Sequence, residues 1–417
     1  MHWFTALFVL LLIVSTIARG WLNQRQIAAV SAHRDRVPEA FTTQIDLESH
    51  RKAADYTVAL AGLNRWDILL DTVVVVILTV GGGIDAIDRA WQPVGLSAAW
   101  HGTAVVLSTL LLMAAINLPL SIYRTFGIET RFGFNRSGPG LFVVDLLKGL
   151  VLALVLGGPL LFVILFLMNR AGQLWWLYAW IVWVAYQVLI TWAAPTLIAP
   201  LFNKFTPLAD ESLKTRVEAL LQRCGFSSKG IFVMDGSRRS VHGNAYFTGV
   251  GSNKRIVFFD TLIERLQAPE VEAVLAHELG HFKLHHIRSQ LLLSLGLGLG
   301  ALALLGALAA WPDFYLALGV HSPSAHAALL LFMLVLPAFT FFLTPVSSWW
   351  SRKHEFEADQ FAARFANARE LADALVKLYR DNATTLTPDE LHSAFYDSHP
   401  PASIRIARLH QLASSPT

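Results

Sequence analysis

The chain contains the stretch Ala276-His277-Glu278-Leu279-Gly280-His281 and, shortly after it, the apolar run Leu291–Trp311. On a helix, two histidines four residues apart project from one face, so His277 and His281 can bind the same Zn²⁺. Glu278 lies between them beside the open position of the metal, where a carboxylate can act as general base. The stretch therefore predicts a catalytic zinc site next to a membrane-crossing helix.

The composition is that of an integral membrane protein. Hydrophobic residues make up 54% of the chain and charged residues only 15%, against about 25% charged in an ordinary soluble domain. Several runs reach the roughly 20 residues that a helix needs to cross the hydrocarbon core. We expect an all-α membrane protein with about seven transmembrane helices, the first a retained anchor: Trp3–Ala18, Ile68–Ile84, Thr103–Ile122, Gly149–Met168, Leu174–Ile198, Leu291–Trp311 and Ala327–Val346.

The basic residues are concentrated in alternate loops. Seven Arg and Lys lie between the first two spans, four between the third and fourth, eleven in 199–287 and eight after Val346, whereas the opposite loops hold only Arg89 and Arg170. The positive-inside rule then puts the amino terminus outside and the zinc motif and tail in the cytoplasm. The expected membrane is the bacterial inner membrane for a prokaryotic source and the endoplasmic reticulum for a eukaryotic one.

The sequence divides into four regions, of which only the second and fourth are largely polar. They are 1–198 with five spans, 199–290 with the zinc motif, 291–346 with two spans, and the carboxyl-terminal region 347–417. Apolar spacing predicts helices at Glu211–Cys224, at Pro269–Gln290 running into the sixth span, and at Arg352–Arg380. Short strands are expected at Gly230–Met234, Asn244–Gly249 and Arg255–Asp260.

A catalytic zinc normally has three protein ligands, so the two histidines need a partner. A metzincin would place glycine and histidine where this chain has Leu284 and Ile287, which excludes that class, and the single Cys224 excludes a cysteine cluster. A carboxylate from the tail remains, and we expect Glu355 to bind the metal. Asp359, four residues on, could then hold a ligand histidine from outside the metal's own shell.

Three further residues near this site have less specific interpretations. Glu357 is expected to be a solvated residue on the face of its helix. His285 and His286 follow the motif, and both are expected at the surface or around the site rather than on the metal.

The sequence also resembles a known family, the type 1 CAAX prenyl proteases, which are zinc-dependent membrane endopeptidases. The matching stretches occur in order over about 300 residues: Ile122–Phe126, Phe132–Asn135, Pro200–Phe205, Asp235–Ser240, Asn244–Phe247, His277–His281, Ser351–Arg352, Glu355–Asp359 and Ser398–Pro401.

The resemblance implies how the site is built. It implies one Zn²⁺ per chain on His277, His281 and Glu355, with Glu278 as general base. Asn244 would lie in a strand-like segment that holds the substrate backbone, and His399 would donate a hydrogen bond to the developing oxyanion. The implied fold is a bundle of seven helices around a large water-filled chamber, with the zinc site inside at the cytoplasmic end.

These observations predict a metalloendopeptidase in which Glu278 activates a zinc-bound water. Its partners would be the lipid bilayer and a peptide or protein substrate. The resemblance suggests carboxyl-terminally prenylated proteins, and quality control of non-prenylated membrane proteins is the alternative. No basic and aromatic strip suggests nucleic-acid binding.

Two non-proteolytic functions are disfavoured. A non-catalytic zinc-containing membrane protein would use a closed site with four protein ligands and would not need Glu278. A zinc transporter would carry ionisable residues in several spans, whereas Asp71 is the one such residue in the predicted spans.

Overall fold

The computed structural model describes residues 2–226, 228–248 and 255–414. Within them, six helices are long and apolar enough to cross a membrane, and a bent helix pair supplies a seventh candidate. The expectation of an all-α membrane protein with about seven spans is therefore confirmed. Most of these helices extend several residues beyond the predicted spans: Trp3–Ala32, Ala98–Glu129, Pro139–Arg170, Gly172–Phe202, His286–Ala309 and Ala325–Phe365, with Leu47–Leu78 and Gly83–Val94 as the bent pair.

Short π and 3₁₀ turns divide several of these segments into separate α-helices. In chain order the α-helices are α1 Trp3–Ala32, α2 Leu47–Leu78, α3 Gly83–Trp91, α4 Ala98–Ile122, α5 Pro139–Leu152, α6 Gly158–Arg170, α7 Trp175–Ala193, α8 Ala199–Phe202, α9 Glu211–Arg223, α10 Asp260–Ile263, α11 Ala268–Lys283, α12 His286–Ala309, α13 Pro312–Ala317, α14 Ala325–Thr340, α15 Thr344–Phe365, α16 Ala368–Asp381, α17 Glu390–Tyr396 and α18 Ala402–Ser414.

The region before the zinc motif carries a small mixed sheet. Its strands are β1 Phe205–Pro207, β2 Ile231–Met234, β3 Ala245–Thr248 and β4 Arg255–Phe259, in the order β1-β2-β4-β3. β2 and β4 are parallel, and the two outer pairs are antiparallel. The three predicted strands are present, although Gly249 lies outside the described residues. β1 was not predicted, because three residues containing a proline give little periodicity.

The predicted continuous helix through the zinc motif was wrong. Helix α11 ends at Lys283, and His285 takes a left-handed conformation with φ of 60° before α12 begins at His286. A residue with a side chain rarely adopts this conformation. Apolar periodicity reports only which residues are apolar, so it gave no sign of the break. The zinc-motif helix is thus joined to the sixth span through a bend.

The predicted helix Arg352–Arg380 was also wrong in its bounds. Helix α15 starts at Thr344, inside the seventh span, and ends at Phe365. Asn367 then caps α16 by accepting a hydrogen bond from the backbone N–H of Arg369. Asparagine favours such a cap because its side chain satisfies an N–H that has no partner within the helix.

The two polar regions share one hydrophobic core. Buried residues of α9, the sheet and α11 pack together with those of α16 and α18. The largest fully buried side chains of this core include Phe258, Leu220, Leu275 and Leu279. Neither region can bury these side chains alone, which is why they fold against each other although the sixth and seventh spans separate them in sequence.

A chamber made of two adjoining cavities lies among the helices, although the residues that line these two cavities do not include His277, His281 or Glu355. One cavity of about 650 Å³ is bounded by α1, α2 and α4 together with the turn after α16, and a second of about 340 Å³ lies between α1, α2 and α14. Asn64 and Asp67 line both cavities, so the two adjoin. Polar side chains on these inner faces keep the space compatible with water.

Candidate active site

Helices α11 and α15 approach each other closely at Gly280. A Cβ atom built at this position would lie 3.0 Å from the Cα of Ala358 and 3.1 Å from its carbonyl oxygen. A side chain at residue 280 would therefore push the two helices apart. The close packing brings Glu355 on α15 opposite His277 and His281 on α11.

The ligand atoms of these three residues have the spacing of a metal site. Nε2 of His277 lies 3.2 Å from Nε2 of His281, and each faces an oxygen of Glu355, at 3.5 and 3.3 Å respectively. Tetrahedral zinc with bonds of about 2.0 Å holds its ligand atoms about 3.3 Å apart. Oε2 of Glu355 is buried and makes no hydrogen bond, although the charged Nη1 of Arg405 lies 3.2 Å away. The donor set and its spacing thus fit a divalent metal ion.

Asp359 contacts the far side of His277. Its Oδ1 lies 2.9 Å from Nδ1 of His277, and the carboxylate accepts two hydrogen bonds from Arg405, at 2.9 and 2.8 Å. Nη1 of the same arginine lies 3.2 Å from Oε2 of Glu355. A proton on Nδ1 shared with Asp359 leaves Nε2 of His277 free to bind a metal.

A second chain of contacts reaches His281. Its Nδ1 lies 3.2 Å from Nδ1 of His286, whose Nε2 lies 2.9 Å from a carboxylate oxygen of Glu357. The His286 ring stacks on His354 with ring centroids 4.0 Å apart. Glu357 is therefore not merely solvated, and His286 lies beside the site, as expected. His285 has its side chain exposed.

The electrostatics of the metal-free site are set by this charge network. Burial and Arg405 lower the pKa of His277, but its hydrogen bonds to Asp359 and Glu355 outweigh them and raise the pKa to about 9. Burial raises the pKa of Glu278 above the usual range of a glutamate. Such an increase brings a carboxylate closer to the pKa of an efficient general base at neutral pH.

The remaining two predicted residues lie on the approaches to the site. Nε2 of His399 is 3.5 Å from Oε1 of Glu355, and its side chain is 64% exposed. Asn244 is exposed and immediately precedes β3, which is an outer strand of the sheet and packs against α11. The side-chain oxygen of Asn244 accepts a hydrogen bond from the N–H of Ala245 at 2.8 Å.

Comparisons with known proteins show the family to which the chain belongs. The CAAX prenyl protease N-terminal region, described as five membrane helices, matches residues 26–204, and peptidase family M48 matches residues 207–413. CAAX prenyl protease 1 of Saccharomyces cerevisiae is 32% identical, over 94% of this chain and 91% of the yeast protein. The chain belongs to the CAAX prenyl protease 1 family.

Other members of the CAAX prenyl protease 1 family are similar over comparable lengths. The homolog from Arabidopsis thaliana is 37% identical, over 72% of this chain and 73% of the plant protein. The crystal structure of S. mikatae Ste24p superposes with a TM-score of 0.92 at 29% identity, covering 98% of this chain and 99% of that one. As a member of this family, the chain is a multi-pass membrane metalloendopeptidase.

Two features of this CAAX prenyl protease 1 homologue were missed from its sequence. Arg405 is a buried arginine beside the apolar residues Ala402, Ile406 and Leu409 of α18. A charged residue on the apolar stripe of a helix is a usable sign of a buried ionic partner. The contact of His286 with Glu357 had no comparable sign, because it depends on the bend between α11 and α12.

Proposed function

We propose that this protein is a zinc-dependent endopeptidase in which Glu278 activates the attacking water. The observation that carries the proposal is the converging set of ligand atoms, 3.2 to 3.5 Å apart, on His277, His281 and Glu355. Two imidazole nitrogens and one carboxylate are the ligands of many catalytic zinc sites, which keep a fourth position open. Zn²⁺ held there would polarise the peptide carbonyl and increase the acidity of water.

The side chains around this site would move the protons and stabilise charge. Glu278 takes a proton from water and delivers it to the departing amine. His399, whose Nε2 lies 3.5 Å from the proposed ligand Glu355, donates a hydrogen bond to the oxygen that becomes negatively charged. Arg405 and Asp359 do not take part in the proton transfer, and together they hold His277 in place.

We further propose that the substrate binds as an extended strand along β3. This strand is at the edge of the sheet, and Asn244 lies at its start. Main-chain hydrogen bonds at such an edge bind a peptide with little regard to sequence. The turn that lines the larger cavity includes Asn382, whose side chain accepts a hydrogen bond from the backbone N–H of Gly243 at 3.2 Å. Gly243 is the residue before Asn244, so this hydrogen bond joins the wall of the cavity to the start of β3. A peptide that leaves the chamber at this wall would meet Asn244.

The matched test compares two glutamates near the motif. Glu278→Gln should retain bound zinc and lose peptide hydrolysis by several orders of magnitude, whereas His277→Ala should lose both. Glu264→Gln changes an exposed glutamate and should leave both unchanged. Wild-type turnover by purified Glu278→Gln protein would show that another group is the base.

The substrate class is proposed from the relatives, which are named CAAX prenyl protease 1. We propose that carboxyl-terminally prenylated proteins are cleaved near that terminus. A farnesylated peptide and its unprenylated counterpart, assayed side by side in proteoliposomes, would test this. A preference of at least tenfold for the farnesylated peptide supports the proposal, and equal rates favour cleavage of non-prenylated membrane proteins.

We propose that the active site faces the cytoplasm, because the basic residues are concentrated on its side of the membrane. Cys224 is the single cysteine and is buried, so it can be replaced by serine. New cysteines at the exposed positions Ser212 and Ser322 would then report the two sides. An impermeant maleimide added to intact cells should label the cysteine at 322 only, and labelling at 212 alone would reverse the orientation.

A further inference from the structure

Asp88, His101 and His326 form a compact cluster far from the active site. Asp88 lies on α3, His101 on the first turns of α4, and His326 at the start of α14. Their possible ligand atoms all lie within 4.8 Å of one another. The helical segment Ala325–Phe365 connects His326 to Glu355, and 29 residues of helix span about 44 Å. The cluster is therefore at the opposite end of the seventh span from the proposed zinc site.

Both imidazoles of this cluster point at a single carboxylate oxygen. Nε2 of His101 lies 2.8 Å and Nε2 of His326 lies 2.7 Å from the same Oδ1 of Asp88. The other oxygen of Asp88 accepts a hydrogen bond from the side chain of Gln92 at 3.2 Å. Gln92 thus fixes the orientation of the carboxylate through Oδ2, and Oδ1 faces two imidazole nitrogens of the kind that bind metals well.

Packing at this end of the bundle keeps the three side chains together. His326 is buried, and the side chains of His101 and Asp88 are only 15% and 16% exposed. Gly102 allows the close approach of α4, because a Cβ atom there would lie 3.1 Å from both Cβ and Nδ1 of His326. Ser324, which caps α14, places its hydroxyl 3.0 Å from Nε2 of His326. A hydroxyl oxygen therefore adjoins the three candidate ligand atoms.

We propose that Asp88, His101 and His326 form a second divalent-metal site, which ties the broken second span to the third and seventh spans. Two imidazole nitrogens and one carboxylate match zinc and its neighbours in the transition series rather than Mg²⁺ or Ca²⁺, which prefer oxygen ligands. Zinc with bonds of about 2.0 to 2.2 Å needs its ligand atoms about 3.3 Å apart. The contacts of the two Nε2 atoms with Oδ1 of Asp88, 2.8 and 2.7 Å, would therefore lengthen by about half an ångström when the ion binds.

The neighbouring pair Asp85 and His321 supplies a matched control. Both aspartates lie on α3, and Nδ1 of His321 is 2.9 Å from Oδ2 of Asp85. This pair has the same chemistry but belongs to no group of three candidate ligands among the described residues, and the His321 side chain is 79% exposed. Removing Asp85 should therefore leave metal binding unchanged, whereas removing Asp88 should abolish it.

The test uses the full-length protein in detergent, with the proposed catalytic ligands His281 and Glu355 replaced by alanine. After treatment with a chelator it is titrated with Co²⁺ alone, whose visible d–d absorption reports nitrogen and oxygen ligation. We expect about one Co²⁺ per chain, displaceable by Zn²⁺, with affinity at least tenfold lower after His326→Gln or Asp88→Asn and unchanged after Asp85→Asn. Failure to bind Co²⁺, or equal binding after His326→Gln, would overturn the proposal, and equal binding would point to the cluster His286, His354 and Glu357 instead.

A second measurement avoids any loss of folding from the alanine substitutions. Zinc content per chain is determined for dialysed protein with its catalytic ligands intact. We expect about two Zn²⁺ per chain for the unmodified protein and for Asp85→Asn, and about one for His326→Gln. Equal zinc content in all three would mean that the cluster is a hydrogen-bonded trio that holds protons instead of a metal.

Discussion

Nδ1 of His277 lies 2.9 Å from Oδ1 of Asp359, and Arg405 donates two hydrogen bonds to that same carboxylate. The three residues come from α11, α15 and α18, so one buried contact chain joins the zinc motif to the carboxyl-terminal region. Asp359 is only 1% exposed and Arg405 3%. The orientation of a proposed metal ligand therefore depends on residues that follow it by about 80 and 130 positions in sequence.

Replacing Asp359 with asparagine should weaken metal binding. The amide cannot stabilise His277 with Nδ1 protonated as a carboxylate does, so we expect zinc affinity to fall by about 10- to 100-fold. Competition with a chromophoric chelator measures this change. Asp381→Asn serves as the control, since that aspartate pairs with Arg380 and Arg265 and with none of the three proposed ligands. Equal zinc affinity in both variants would contradict a role for Asp359 in holding His277.

Arg405→Lys should destabilise the protein although the charge is kept. An ammonium cannot bridge Asp359 in two places, and a buried carboxylate left partly unpaired costs about 3 kcal/mol. We expect a lower melting temperature in detergent. The control is Arg408→Lys, three residues further along the same helix. It changes an exposed arginine whose guanidinium lies 4.4 Å from the centre of the Phe356 ring, so its effect should be small.

Metal binding should release a proton at neutral pH. In the metal-free protein the pKa of His277 is about 9, above the unperturbed value of 6.5, so the ring is protonated at pH 7 to 8. A metal needs the neutral ring, and zinc affinity should rise about tenfold per pH unit until pH 9 and then level off. Calorimetry in buffers of different ionisation enthalpy counts the proton. A pH-independent zinc affinity between pH 7 and 9 would show that His277 is already neutral.

The same raised pKa affects the stability of the metal-free protein. Because the folded state binds the proton more tightly than the unfolded chain, this contribution is complete below pH 6.5 and is lost as the pH rises through 9. Melting temperatures of chelator-treated protein across this range check the sign. Zinc-loaded protein is the control, since a metal on Nε2 would keep the His277 ring neutral across this pH range.

His286 should act through His281 rather than on the substrate. Removing it with His286→Ala takes away the acceptor beside Nδ1 of His281, and we expect about tenfold weaker zinc binding. Glu357→Gln should have a smaller effect in the same direction, because it is one contact further away and 40% exposed. A variant that binds zinc normally but hydrolyses peptide slowly would instead place His286 at the substrate.

His285 should tolerate glycine better than a branched residue. Its φ of 60° is reached easily by glycine and costs other residues about 1 kcal/mol or more. We expect His285→Gly to retain or increase the melting temperature, and His285→Val to lower stability by about 1 to 2 kcal/mol. If both variants lose zinc equally while remaining folded, the His285 side chain has a role at the metal that its exposed position does not suggest.

Sequence patterns were sufficient for some features because those features are local. The run from His277 to His281 lies within one helix, where a spacing of four residues determines which side chains share a face. The membrane spans could likewise be read from length and apolarity, since lipid requires both within a single segment. Glu355 and Asp359 could be paired for the same reason, and the need of a catalytic zinc for a third ligand connected them to the metal site, in agreement with the family resemblance.

Contacts between segments had to come from the tertiary structure. The bend at His285 decides that His286 turns back to His281, and a buried helix face decides that Arg405 meets Asp359. Asp88, His101 and His326 are isolated polar residues in the sequence, and only the packing of α3, α4 and α14 joins them. The sequence alone determined the spans and the chemistry of the zinc motif, because periodicity records neighbours within an element. The tertiary structure decided which distant side chains come into contact, because contacts between packed helices do not recur at a fixed spacing along the chain.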